Sequence, residues 1–219
     1  MTEKYHQNFE PAMYVVERNG RKKDRFDVNQ GVVGDCWFLA ALANLAEDND
    51  AFYRVVPDNQ SFSSESYCGM FRFRFFRFGQ WVEVVIDDKL PTIYGELFCL
   101  KGENEVMRMS YGKKDKDDVQ IEFWSPLLEK AYAKLYGSYK AIEGGLTIEA
   151  AVDFTGGIPE IIRTSTLRND GDIERLFYDL RKAYNNYAFI GASLEVSITY
   201  TSNKRPNMIA LEFYPSKRS

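Results

Sequence analysis

The chain has 219 residues, of which 45% are apolar and 27% are charged, and its net charge at neutral pH is -4. This composition is typical of a globular chain of one domain, or one and a part, and the lack of a basic excess argues against a nucleic-acid partner. No apolar run approaches the roughly 20 residues of a membrane span, and the polar N-terminal segment lacks the apolar core of a secretion signal.

The three cysteines predict a reducing, cytoplasmic environment. Cys36, Cys68 and Cys99 are odd in number and widely spaced, so they do not resemble a disulfide framework. The sequence contains no Cys-x-x-Cys pair and no cluster of histidine with cysteine. We therefore expect no zinc.

The first predicted helix begins at Asp35 or Cys36, after a polar N-terminal segment. Apolar residues recur so densely from Trp37 to Leu45 that we expect a buried, central helix. We expect this helix to end before the acidic sequence EDND, because acids at a helix C-terminus oppose the helix dipole.

The sequence YCGMFRFRFFRFGQWVEVVIDDKLP predicts a β-hairpin that turns at Gly79-Gln80. Its first strand alternates aromatic and basic side chains, which is the period of a strand with one buried face. The alternating residues are Phe71, Arg72, Phe73, Arg74 and Phe75. Interleaved arginine and phenylalanine also suit single-stranded nucleic acid, whose bases stack on aromatic rings. A half-buried strand explains the same pattern without a ligand.

Two more helices and a strand are predicted in the second half of the chain. Ser125 is a candidate N-cap and Pro126 a candidate first residue of one helix, which Gly137 can end. The sequence GDIERLFYDLRKAYNNY predicts an amphipathic helix whose apolar face packs on the core. That face carries Ile173, Leu176, Phe177 and Leu180. AFIGASLEVSITY predicts a strand, whereas the final TSNKRPNMIALEFYPSKRS shows no clear period.

Cys36 stands where a glycine-broken loop meets the first helix. A helix N-terminus presents unpaired N–H groups and partial positive charge, which favour a nucleophilic thiolate. Gly31 and Gly34 permit a tight turn, and the Gln30 amide beside the Cys36 N–H would form an oxyanion hole for acyl transfer. The alternative is that Cys36 is a small buried hydrophobic residue. The residues by themselves leave both interpretations open.

The segment QGVVGDCWFLAAL closely resembles the active-site segment of calpains, the calcium-dependent intracellular cysteine endopeptidases. The likeness continues through VVPDNQSF, the hairpin, EFWSPLLEKAYAKLYGSY and FTGGI. It covers residues 27–157 and extends weakly to about Thr199. An ordered series of matching segments is more specific than any single short motif.

This resemblance implies an α+β fold, a papain-like cysteine protease core. Residues 1–26 would be a lead-in, 27–157 a helical first subdomain with a β-hairpin, and 158–219 an incomplete β-type second subdomain with a divergent tail. By position, Cys36 matches the nucleophile and Gln30 the oxyanion-hole donor. Trp37 matches the tryptophan that follows the nucleophile.

The resemblance also implies a calcium site in the first subdomain. Asp27 and Glu122 match acidic ligands of that site, and Arg25 matches an arginine that joins the two subdomains when calcium is bound. Calcium prefers carboxylate and carbonyl oxygens from flexible loops, which agrees with these positions. The alternative is that both acids are solvated surface residues.

The sequence departs from the family where the second subdomain should supply its histidine and asparagine. No GHAY-type or NPWG-type segment is present, and the only histidine, His6, lies upstream of Cys36 in the lead-in. We give His6 no catalytic role and expect the chain to be inactive alone, although its family cleaves protein substrates. The rival hypothesis is a non-enzymatic pseudoprotease fragment that binds calcium or protein partners and competes with an intact relative.

Overall fold

Short-range sequence signals produce five α-helices within the described part of the chain. They are α1 (Cys36–Glu47), α2 (Asn49–Val55), α3 (Trp124–Tyr136), α4 (Thr147–Thr155) and α5 (Asp170–Asn185). Single 3-10 turns cover Tyr139–Ile142 and Thr164–Thr166. The computed structural model describes residues 10–13, 28–29, 31, 33–93, 96–97, 101–102, 120–186, 188–195 and 207–214.

Strands in these ranges form one long hairpin, one three-stranded sheet and three short pairs. In the hairpin, β3 (Met70–Arg77) pairs antiparallel with β4 (Gln80–Asp87). The sheet is antiparallel in the order β10 (Ile190–Glu195), β11 (Asn207–Tyr214), β9 (Ile158–Arg163). The short pairs are β1 (Glu10–Ala12) with β8 (Gln120–Glu122), β2 (Val28–Asn29) with β7 (Lys101–Gly102), and β5 (Thr92–Ile93) with β6 (Glu96–Leu97). The fold is α+β.

The predicted burial of α1 and of one hairpin face is confirmed. Phe38, Leu42 and Leu45 of α1 are fully buried, and so are the alternating phenylalanines of β3. The ring of Tyr132 on α3 lies 4.6 Å from that of Phe38 and 5.4 Å from that of Phe75. The core is therefore the space that α1, α3, α4 and the inner face of the hairpin enclose.

The hairpin turns at Phe78-Gly79, one residue earlier than predicted. Both residues have positive φ, 50° and 82°, which is typical of the turn that matches the twist of a two-residue hairpin. On the outer face, Arg72 and Arg74 lie 3.7 and 3.4 Å from the Glu83 carboxylate. Phe71, Phe73 and Phe75 are buried, so these three rings are not available to stack on nucleic-acid bases, whereas Phe78 at the turn is 93% exposed.

Two predicted helix ends differ from the structure. α1 includes Glu47, and Asp48 is the N-cap of α2, where its carboxylate accepts hydrogen bonds from the backbone N–H groups of Asp50 and Ala51. Asp48 and Asp50 thus lie at the N-terminus of α2, where negative charge interacts favourably with the helix dipole. Ser125 does not cap α3, since it lies within the first turn. Gly137 ends α3 in the left-handed conformation, as predicted.

The predicted helix after residue 169 is present, but its predicted burial is wrong. Asn169 caps α5 through a 3.0 Å hydrogen bond to the Asp172 N–H. Ile173 and Phe177 are 48% and 67% exposed, and Ala183 is the buried residue of this helix. The C-terminal segment, whose sequence shows no clear hydrophobic period, contains β11, which pairs with β10 on one side and β9 on the other. None of the helices in the described ranges is long and apolar enough to span a bilayer.

Candidate active site

The thiol of Cys36 is exposed at the first residue of α1. The Asp35 carbonyl accepts hydrogen bonds from the N–H groups of Phe38 and Leu39, at 2.8 and 3.1 Å, so the helix begins immediately beside the cysteine. Gly34 has φ of +76°, a conformation that L side chains rarely adopt, and it turns the chain into the helix. The alternative that Cys36 is a small buried hydrophobic residue is therefore wrong.

Trp37 anchors the residue after the nucleophile candidate. Its indole is 8% exposed, and Nε1 donates a 2.9 Å hydrogen bond to the carbonyl oxygen of Ile142. A Cβ on Gly145 would lie 2.5 Å from Cε2 of the indole, so only glycine fits against this ring. The N–H of Gly144 also donates to the Gly34 carbonyl at 3.3 Å. The 144–145 loop thus holds the chain on both sides of Cys36.

This bracing was not predicted from the sequence. The doubled glycine at 144–145 was a visible signal of a special backbone position, but nothing local indicated that its target would be Trp37. The two segments are more than 100 residues apart. Only their approach in the folded chain shows why a side chain at residue 145 is excluded.

Asp35, the residue before Cys36, is a buried carboxyl that was also missed. Asp35 and Glu129 of α3 are both 0% exposed. Burial raises the pKa of Asp35, while the contact with Glu129 opposes that rise. In the described ranges, no hydrogen bond of standard geometry reaches either carboxyl oxygen of the Asp35 side chain. Its side chain does not cap α1.

A second buried carboxylate, that of Asp153, connects α3, α4 and the hairpin. Asp153 of α4 accepts hydrogen bonds from the hydroxyls of Tyr132 and Tyr136, at 2.9 and 2.8 Å, and from the Arg77 guanidinium at 3.0 Å. Burial, followed by the Asp153 charge, raises the pKa of Tyr132. This network joins β3, α3 and α4, and it keeps the helices around α1 in a fixed arrangement.

The structure describes little of the remaining predicted site residues. Gln30, Arg25 and Asp27 lie outside the described residues, as does His6. Glu122 is the last residue of β8, where it pairs with Ala12. Its side chain lies outside the described part. In the described ranges, no group of three or more histidine, cysteine, aspartate or glutamate side chains is placed to hold a metal ion.

A cavity of about 780 Å³ lies between the C-terminal half of α1 and α5. Ala43, Phe177, Tyr184 and Phe189 line it, and Asn44 ties its edge to β10 by accepting a hydrogen bond from the Ile190 N–H. Ala43 is seven residues beyond Cys36, which is about 10 Å along a helix axis. The cavity is thus separate from the thiol, which lies at the helix N-terminus.

The described geometry presents a fixed, accessible thiol at a helix N-terminus, an arrangement suited to nucleophilic attack. A sequence model of calpain family cysteine proteases matches residues 8–212 of the chain. Calpain-A from Drosophila melanogaster is 46% identical over 182 residues, which are 83% of this chain and 19% of that protein. Calpain-8 from Mus musculus is 47% identical over 173 residues, 79% of this chain and 22% of that protein. The chain spans about a fifth of the length of these curated relatives.

Proposed function

The chain belongs to the calpain family of cysteine proteases, and on that premise we propose that it is the nucleophile-bearing part of a cysteine endopeptidase. The observation that carries the proposal is the exposed Cys36 thiol at the first residue of α1. Its substrates would be proteins, cut at limited sites in the cytoplasm. The odd number and wide spacing of the cysteines support that reducing location.

The proposed reaction is acyl transfer through Cys36. The thiolate sulfur bonds to the scissile carbonyl carbon, and the carbonyl electron pair moves to oxygen. The Cys36 N–H and the Gln30 amide would stabilise this oxyanion. When the oxyanion collapses, the C–N bond breaks, the leaving amine takes a proton and a thioester remains. Water then attacks the thioester, which releases the acid and restores the thiol.

The histidine that moves those protons is not supplied by this sequence downstream of Cys36. His6 is the only histidine of the chain, and it precedes the nucleophile by 30 residues. In a comparable triad hydrolase, loss of the histidine lowers the rate by about 10⁶. We propose that a longer protein containing these residues provides the histidine and its orienting asparagine, and that the 219 residues alone do not turn over peptides.

We further propose that calcium binds the first subdomain through Asp27 and Glu122, with Arg25 joining the subdomains. The strand contacts support this site. Asp27 immediately precedes β2, and Glu122 is the last residue of β8. The strand β7 connects the two, because it pairs with β2 and contacts β8. Bound calcium would hold these loop segments together through their oxygen atoms. Calorimetric titration with calcium should show binding that Asp27→Asn weakens and that Asp50→Asn, an exposed control, leaves unchanged. Equal binding by all three proteins would contradict the assignment.

The second candidate is a pseudoprotease fragment that binds calcium or protein partners and competes with an intact relative. The absence of a histidine after Cys36 favours it. A peptide-cleavage assay separates the two candidates. It would compare the 219-residue chain with a longer protein that contains it, each as wild type, Cys36→Ala and Cys68→Ala. Cys68 is also exposed, so it is a matched control.

We expect no cleavage by the 219-residue chain. The longer protein should cleave peptides, should lose that activity with Cys36→Ala and should keep it with Cys68→Ala. Cleavage that survives Cys36→Ala in the longer protein would remove Cys36 as the nucleophile. Cleavage by the short chain that Cys36→Ala abolishes would overturn the proposed inactivity.

A further inference from the structure

The loop that holds Trp37 also brings an exposed acid close to Cys36. The N–H of Gly144 donates a hydrogen bond to the Gly34 carbonyl at 3.3 Å, and Cγ of Glu143 lies 3.6 Å from the place of a Cβ on Gly34. Gly34 precedes Cys36 by two residues, so their Cα atoms are at most about 7 Å apart. A peptide that reaches the exposed thiol therefore passes close to Glu143.

Two side chains of this loop are open to such a peptide. The side chain of Glu143 is 50% exposed, and Leu146 is 58% exposed. Gly145 lies between them in the chain and packs closely against the Trp37 ring, which fixes the position of the loop. An exposed carboxylate and an exposed leucine on one loop suit a ligand side chain with an apolar stem and a cationic head. Lysine and arginine have that form.

The charged groups of this loop give it a negative balance. Lys140 forms an ion pair with Glu143, but the lysine side chain is 83% exposed, and such a pair contributes little in water. At the other end of the loop, Glu149 accepts a hydrogen bond from the Leu146 N–H at 3.4 Å. Two carboxylates thus face one ammonium group among these described side chains. Asp35 does not meet a peptide, because its side chain is fully buried.

We propose that Glu143 makes the surface beside Cys36 selective for positively charged side chains, so that the preferred protein substrates carry lysine or arginine near the cleaved bond. The inference rests on the proposed role of Cys36 as the nucleophile. Glu143 binds the basic side chain in exchange for Lys140, because an exposed ion pair is weak. Leu146 contacts the methylene stem of the same side chain. Glu143 is thus a specificity-determining residue and takes no part in breaking the peptide bond.

Thiol reagents of opposite charge measure this selectivity without peptide turnover. The probes are two methanethiosulfonates, one with a trimethylammonium-ethyl group and one with a sulfonato-ethyl group. The thiolate sulfur bonds to the alkylthio sulfur of the reagent, and methanesulfinate leaves. Both reactions need the same thiolate, so the ratio of their rates reports the charge that the reagent meets and not the pKa of Cys36. Peptide mass spectrometry resolves each cysteine of the 219-residue chain, with the exposed Cys68 as internal reference.

In about 0.1 M salt, Glu143→Gln should lower the cation-to-anion rate ratio at Cys36 by about two- to fivefold. Lys140→Gln should raise the ratio, because Glu143 then faces the reagent without its partner. Glu47→Gln is the control and should change nothing, since it removes a charge 11 residues away on α1, about 16 Å along the axis and beyond the screening length. An unchanged ratio in Glu143→Gln would overturn the proposal, as would a fall in Lys140→Gln.

A peptide series tests the substrate class in a longer protein that contains these residues. The peptides carry either lysine or the uncharged norleucine at each position in turn around the cleaved bond. At one position or more, kcat/KM should favour lysine, and Glu143→Gln should remove that preference. A lysine preference that survives Glu143→Gln would overturn the proposal, and so would the lack of any preference in the wild type. Cleavage that does not depend on Cys36 would instead contradict the protease function, which the reagent ratio does not require.

Discussion

The Nε1 of Trp37 donates a hydrogen bond to the carbonyl oxygen of Ile142 across a sequence separation of 105 residues. This bond and the close contact of the same ring with Gly145 fix the first turn of α1 against the loop that follows α3. Cys36 is adjacent to Trp37, so its position depends on this distant contact. The placement of the thiol therefore depends on the assembled core as well as on its own helix.

Gly145→Ala should disturb Cys36 although residue 145 is far from it in sequence. The new methyl group would lie 2.5 Å from the Trp37 ring, so the ring or the loop must move, at a cost of about 1–3 kcal/mol. We expect lower stability in urea unfolding and an altered Cys36 alkylation rate. Gly69→Ala is the control, because its Cβ meets nothing within 4 Å although its φ is +74°. An unchanged alkylation rate in Gly145→Ala would contradict the bracing role of the loop.

Trp37→Phe should remove the hydrogen bond while keeping most of the apolar contact. The Ile142 carbonyl would then lose its indole donor in a buried place, which costs about 1–3 kcal/mol. Thermal unfolding should detect the loss. Trp81→Phe is a suitable control, since Trp81 is 36% exposed on the hairpin. Equal effects of the two substitutions would argue against a special role for the Trp37 bond.

Asp153→Asn should destabilise the fold by about 3 kcal/mol. Asp153 is 4% exposed, and its carboxylate accepts bonds from Arg77 and two tyrosines. Removal of one partner of a buried ion pair leaves the other charge without compensation. Glu83→Gln, which alters an exposed pair with Arg72 and Arg74, should cost less than about 1 kcal/mol. The comparison is made by urea unfolding, and similar losses for both variants would contradict the assigned network.

Asp35→Asn should change how stability depends on pH. Burial raises the pKa of folded Asp35 above its ordinary value of 3.8, so the folded state binds the proton more tightly than the unfolded state. Its contribution to the free energy of unfolding is complete below pH 3.8 and declines as pH rises through the folded pKa. Asn does not ionise, so the variant should gain stability relative to wild type across that window. A difference that is constant with pH would contradict the raised pKa.

Phe177→Ser on α5 should cost little, less than about 1 kcal/mol, because the ring is 67% exposed. Phe154→Ala on α4 should cost about 3–5 kcal/mol, since that ring is fully buried among Phe38, Phe75 and Tyr132. Thermal or urea unfolding of the two variants makes the comparison. A large loss with Phe177→Ser would show that α5 is buried in solution, as its sequence pattern predicted.

Local patterns determined much of this chain. The alternation of phenylalanine and arginine predicts the hairpin, Gly137 predicts the end of α3, and the glycines before Cys36 predict that a helix starts there. The series of matching segments also indicates the protease family, which the comparison confirms. These features depend on side-chain periods and backbone preferences that act over a few residues, so the amino-acid sequence alone predicts them.

Only the tertiary structure determined which side chains are in contact. The pattern of α5 is amphipathic, yet an amphipathic helix is buried only where another element covers its apolar face, and here Phe177 remains exposed. In the sequence Asp35 is an ordinary acid beside Cys36, but the folded core buries it completely. Trp37 finds its acceptor 105 residues away. The burial of a side chain, and the shift in pKa that burial causes, depend on contacts between distant segments. Local sequence preferences do not specify these contacts.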